Sequence, residues 1–176
     1  MIRILTRTAA AALLASAAVS TPAMAGEGPS DMQIAHIAYT AGNLDIRYAH
    51  LALAKSNNPE VRKFAELMIQ DHAAVNELAI ALLTRLGASA EDNATSKQLT
   101  VDADAKLNQL AQLQGAEFDR AYAANELGYH QFVNKTVETA FIPAVDNREF
   151  KDLLGQALEI FKVHEQHAER MVRVLK

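Results

Sequence analysis

Cysteine and tryptophan are absent from this 176-residue chain, and only 7 glycines and 4 prolines interrupt it. With no thiol there is no disulfide, so stability has to come from core packing. Scarce glycine and proline leave long uninterrupted segments, and none of them alternates strictly between apolar and polar residues as a half-buried strand would. Basic excess is also missing: the net charge is −4, which argues against nucleic acid and anionic lipid as partners. No stretch matches a phosphate loop, a nucleophile elbow or a Ser/His/Asp arrangement. His164-Glu165-Gln166-His167 falls short of a zinc-protease motif, because the second histidine should stand one residue later, where Ala168 is found.

The one nearly continuous apolar run, Thr8 to Val19, is too short to span a membrane, which takes about 20 such residues. Arg3 and Arg7 precede it and Ala23-Met24-Ala25 follows it. That is the layout of a secretory signal, with a basic start, an apolar centre and a small-residue cleavage site. Residues 1–25 are therefore predicted to be removed on export, with a bacterial periplasm as the destination, leaving one domain over 26–176. No cysteine follows the cleavage point, so no lipoprotein anchor is expected.

Within that domain the apolar spacing is helical throughout. From Asp31, read as an N-cap, Ile34, Ile37, Ala41, Leu44, Tyr48 and Leu51 recur at steps of three and four until Ser56-Asn57-Asn58. Pro59 opens a second helix with the stripe Val61, Phe64, Met68, His72, Val75, Ala79, Leu82, ending at Gly87. Ala88 to Ser96 reads as a loop and Lys97 to Gln114 as a shorter helix. Phe118, Tyr122, Tyr129, Val133, Val137 and Ala140 mark the next long helix, after Gly115. Phe150, Leu154, Ala157, Phe161, His164, Ala168, Met171 and Leu175 mark the last. The fold class predicted is all-α, four long helices in a bundle with one extra short crossover helix.

Polar residues interrupt these stripes. His72 and His164 occupy apolar-seam positions, and Asp71 stands beside His72. Glu126 and His130, spaced i to i+4, lie at the stripe of Tyr122 and Tyr129. Asp45 flanks the first seam, and His167 sits about 90° off the centre of its helix's apolar face, near which His164 falls. All fall in the middle portions of their helices, so they can meet. Burying an unpaired polar group costs about 1 to 3 kcal/mol, and imidazoles facing carboxylates across helices supply N and O ligands for iron, zinc, manganese or copper. The candidate metal ligands are therefore His72, His130, His164, Glu126, His167, Asp71 and Asp45. His36 and His50 fall on the flank away from the seam and read as solvated, and the tyrosines read as packing.

Four sets of residues carry a family resemblance: Phe64-Ala65 with Met68-Ile69 and Asp71-His72; Gly115 with Phe118-Asp119 and Tyr122; Asn125-Glu126 with Tyr129-His130; and Phe161 with His164 and His167-Ala168. In these the chain resembles the exported bacterial family known as domain of unknown function 4142, over most of Asp31 to Lys176. Gly42 to Asp45 resembles the family's small-residue segment, with Asp45 where glutamate is usual. The resemblance implies a ferritin-like four-helix bundle. The di-iron centres of ferritin-like bundles take a Glu-x-x-His from each of two helices. Here Ile69 and Phe161 stand three residues before His72 and His164, and the histidine-richer set better suits a mononuclear or softer site, or one that lost its metal and kept the polar residues.

Three functions fit these residues. The first is an exported metal-binding protein. The second is a structural, stress-protection or interaction protein of the cell envelope, with a cell-envelope protein partner and a buried polar network in place of a metal. The third is redox activity, which would require the metal.

Overall fold

The computed structural model describes residues 28–175, so the expected signal over 1–25 lies outside the described residues. The described chain is all-helical: α1 (Asp31–Lys55), α2 (Pro59–Leu86), α3 (Ala94–Gln112), α4 (Gly115–Thr136), a π-helical turn (Val137–Phe141), α5 (Ile142–Ala144) and α6 (Arg148–Val174). No described helix is long and apolar enough to cross a membrane.

The helix ends follow from local chemistry. Ser30, not Asp31, caps α1: its hydroxyl accepts from Gln33 N and the Gln33 side chain accepts from Ser30 N, both at 3.2 Å. Asp31 is the first helical residue, and its carboxylate accepts from Asp146 N at 3.0 Å and Asn147 N at 2.9 Å, tying the start of α1 to the start of α6. Gly87 closes α2 in the left-handed conformation at φ 63°. α3 starts three residues earlier than the sequence pattern predicts. Asn93 accepts from Ser96 N at 3.0 Å and so turns what reads as polar loop into a capped first turn. At 19 residues it is also no minor element.

The fourth helix does not run regularly to its end. Pro143 lacks an N–H and its ring crowds the carbonyl four residues back. The chain widens into the π-helical turn just before it, where Ile142 N–H donates to Val137 O.

Cross-links between elements give the direction of each helix. α1 and α2 are antiparallel neighbours across the Ser56–Asn58 link, and α4 and α6 pair likewise across 145–147. α3 starts beside the N-terminal end of α1, where Asn93 Nδ2 donates to Gln33 O, and finishes beside its C-terminal end, where Lys55 Nζ donates to Ala111 O. α3 therefore carries the chain back along α1, so that α4 starts at the same end as α2. There Ser56 Oγ donates to the buried Asp119 carboxylate. α2 also packs against α6 and α1 against α4, so that among α1, α2, α4 and α6 each neighbouring pair runs antiparallel, while α3 runs parallel to α1.

Two apolar clusters fill the interior. One, around Phe64, Met68, Phe118, Tyr122 and Met171, lies toward the Ser56 end. The other, around Ile34, Val137, Val145, Phe150 and Leu154, lies toward the opposite end. Asp45, His72, His130 and His164 come between these two sets along their helices and are buried.

Gly42 lets α1 and α2 approach closely at this level. A Cβ there would lie 2.7 Å from Asn76 Oδ1, while Asn76 Nδ2 donates to Asn43 Oδ1 at 3.3 Å. Alanine is worth about 1 kcal/mol over glycine inside a helix, and crowding a packed side chain costs about 1 to 3 kcal/mol. Gly42→Ala is expected to destabilise the wild-type protein by about 1 kcal/mol. In an Asn76→Ala background the same change should stabilise by about 1 kcal/mol, a reversal read from urea unfolding in a double-mutant cycle.

Candidate metal centre

Each long helix contributes to one buried cluster. α1 supplies Asp45, α2 His72 with Asp71, α4 Glu126 with His130, and α6 His164. His72, His130 and His164 can each present a ring nitrogen such that all three lie within 4.8 Å of one another, and so can ligand atoms of Asp45, Glu126 and His130. His130 belongs to both groups and joins them. Centroid separations of 5.9 Å for His72 to His130, 5.5 Å for His72 to His164 and 5.4 Å for His130 to His164 describe a triangle of rings.

The hydrogen bonds show which ring nitrogens are engaged and which are free. A carbonyl oxygen only accepts, so His130 Nδ1–H donates to Glu126 O at 2.9 Å and leaves Nε2 as a bare lone pair. Nε2 lies 3.5 Å from Asp45 Oδ2. A carboxylate likewise accepts, so His164 Nε2–H donates to Asp71 Oδ2 at 2.9 Å and leaves Nδ1 bare. This is the carboxylate–imidazole pairing that commonly orients a metal-bound histidine. His72 packs flat on Phe161, with ring centroids 4.6 Å apart and planes 17° apart, and its Nε2 stands 3.3 Å from Asp45 Oδ2.

What remains unpaired is as informative. Both Asp45 oxygens, both His72 nitrogens, His130 Nε2, His164 Nδ1 and Glu126 Oε2 are buried without a hydrogen-bond partner of adequate geometry. Such groups are normally satisfied in protein interiors. They come from four helices and fall in two triads that share His130, with imidazole and carboxylate donors suited in type to zinc, iron, manganese or copper.

Charge is distributed unevenly between the two acids. Burial pushes the Asp45 carboxyl up, but the opposing pull of His72 and His130, aided by His164, leaves it below its ordinary value. Glu126 is driven well above its ordinary value, first by burial and then by the negative Asp45, which favours its protonated form. Burial lowers His130 against the attraction of Asp45. It lowers His164 to about 4 in spite of the bond to Asp71. These two imidazoles are therefore neutral at pH 7, the form that binds metal.

The seven sequence-derived candidates do not all converge. Asp45, His72, Glu126, His130 and His164 do. Asp71 sits behind His164, and His167 falls in neither group: its ring meets Phe64 edge-on at 5.0 Å. His50 is exposed as expected, whereas His36 is half-buried with Nδ1 unpartnered, correcting its reading as solvated. Its helical position is on the flank, but there it lines an open groove together with Ala79, Leu83 and the 88–90 segment.

Two supporting residues escape the sequence reading. Asn76 and Asn134 stand four residues after His72 and His130, on the same helix faces, and both are buried. Asn134 Nδ2 donates to Phe161 O at 3.2 Å and to Glu165 Oε2 at 2.7 Å, locking α4 to α6 one turn from the cluster. The repeated His-x-x-x-Asn spacing was the available signal.

No curated protein and no solved structure matches the chain. Residues 14–171 match the family described as Domain of unknown function (DUF4142), which takes in α1 to α5 and nearly all of α6. With the cluster and nearly all of the helical residues inside that match, the chain belongs to the domain of unknown function 4142 family.

Proposed function

We propose that the protein is an exported, ferritin-like four-helix bundle, crossed by α3, that binds one transition-metal ion through His72, His130, His164 and Asp45, with Glu126 as a further carboxylate. The observation that carries this reading is the convergence of three buried imidazoles within 4.8 Å, two of them hydrogen-bonded through one ring nitrogen and unpartnered at the other. Asp71 would orient His164 from behind, and His167 would stay outside the shell. The antiparallel order of the long helices and the return of the chain along α1 support the ferritin-like comparison. The Arg3, Arg7 and Ala23-Met24-Ala25 pattern supports export to a periplasm, and mature protein purified from the cell envelope should then begin at Gly26.

A purely structural polar network is favoured by the Asp71–His164 and Glu126–His130 bonds, but it leaves both His72 nitrogens, His130 Nε2, His164 Nδ1 and Asp45 without a hydrogen bond of adequate geometry. Elemental analysis of protein purified from its native compartment separates the two readings. One equivalent of zinc, iron, manganese or copper, lost in His164→Ala, is expected. A metal-free protein whose melting temperature ignores all four ions would overturn the metal reading.

A further inference from the structure

A cavity of about 140 Å³ lies between α1, α2, α4, the π-helical turn and α6. Val133, Val137, Phe141, Leu154, Ala157 and Phe161 give it apolar walls. Tyr39 on α1 and Phe132 on α4, 37% and 57% exposed, mark its solvent side. The π-helical turn shapes it directly, since Val137 and Phe141, the first and last residues of that turn, both line it. Native interiors rarely keep a void this large against close packing.

Inside the solvent rim, the polar side chains of the lining are bonded elsewhere or covered. Tyr129 Oη donates to Ala41 O at 2.9 Å, Asn76 Nδ2 to Asn43 Oδ1 at 3.3 Å and Thr136 Oγ1 to Phe132 O at 2.8 Å. Asp45, His72 and His130 border the cavity too, but both Asp45 oxygens, both His72 nitrogens and His130 Nε2 are buried, so these residues present carbon to it. No lysine, arginine or glutamate lines it. A charged ligand would shed its hydration there without a counter-charge, and a neutral polar one would lose hydrogen bonds to water that nothing replaces. Water itself needs about two to four polar partners in an interior site. Hydrocarbon is the chemistry that remains, and volume sets its size: an apolar cavity of about 150 Å³ takes up benzene, so about six carbons fit.

We infer that the cavity binds a hydrocarbon group of about six carbons, admitted between Tyr39 and Phe132 and held by apolar contact with Val133, Val137 and Leu154. A free small hydrocarbon and the end of a lipid chain share that chemistry. The inference goes beyond the proposed metal centre and does not depend on it, because the donor atoms of Asp45, His72 and His130 are covered from the cavity.

Benzene, with phenol as comparison, is titrated into metal-free and zinc-treated protein while the methyl NMR signals of Val133, Val137 and Leu154 are followed. Saturable one-to-one shifts with benzene are expected in both, and phenol should bind no tighter, because no polar atom of the cavity awaits a hydroxyl. Val133→Phe should weaken benzene binding by roughly tenfold or more. Ala79→Leu, on the α2 wall, gives the same test should the first variant misfold. Monomeric lysophosphatidylcholine added to benzene-saturated protein separates the two sources: displacement of benzene assigns the site to the end of a lipid chain, and retention assigns it to a free small molecule. Absence of saturable benzene shifts, or shifts indifferent to both cavity-filling changes, overturns the proposal. Phenol tighter than benzene by roughly threefold or more, as one hydrogen bond provides, overturns recognition by apolar contact alone.

Discussion

Asp45→Ala is expected to abolish the stabilisation that a transition metal confers while leaving the helical fold in place. Asp45 is the one residue of α1 in the cluster, fully buried and the ionised member of the acid pair. It contributes both a ligand oxygen and the negative charge that offsets a divalent ion among neutral imidazoles. Loss of affinity of about 100-fold or more corresponds to about 2.7 kcal/mol of ligand-linked stability. For a domain of this size that is about 5 to 11 °C in melting temperature. The effect should be seen only with metal present. Asp71→Ala removes the partner behind His164 and should cost less, about 10- to 100-fold in affinity, as other orienting carboxylates do. Isothermal titration and thermal unfolding, each with and without zinc, check both. Equal metal-dependent stabilisation in wild type and Asp45→Ala would remove α1 from the site.

This ordering was only partly legible in the sequence. His72 and His164 announce themselves because each replaces a core residue in an otherwise unbroken stripe, and periodicity is the strongest local signal a helix gives. Asp45 is less visible: it flanks its seam, and its burial depends on how closely α1 approaches α2, which Gly42 and Asn76 decide together. The separation of His164 from His167 needs the packing angle of α6, since a side chain about 60° around the helix from His164 can face either the cluster or Phe64. Directions within the second helix pair were illegible for another reason. They follow from the path of α3, and its start depends on a cap at Asn93 inside a segment rich in loop-forming residues. The π-helical turn leaves no periodic trace, and only Pro143 hints at it.

The cluster should also write itself into the pH dependence of the metal-free protein. Burial depresses His164 to about 4 and lowers His130, so an unfolded chain takes up protons below about pH 6.5 that the folded chain refuses. Stability from these groups is full above that pH and lost as pH falls toward 4. Glu126 acts in the opposite sense. Its folded value is raised well above 4.5, so between that pH and its folded value the native state holds a proton that the unfolded chain has released. Stability from Glu126 therefore falls as pH rises through the same window. Each uncompensated proton contributes a slope of about 1.4 kcal/mol per pH unit, so the wild-type curve should be shallower than its histidines alone would give. Glu126→Gln keeps the shape and removes the opposing proton, and its stability should climb more steeply between about pH 4.5 and 6.5, by up to about 1.4 kcal/mol per pH unit. Urea unfolding of chelator-treated protein at three pH values across that range measures both slopes. Parallel curves for the two proteins would mean that Glu126 is ionised in the fold, and that its carboxylate and that of Asp45 carry charge side by side.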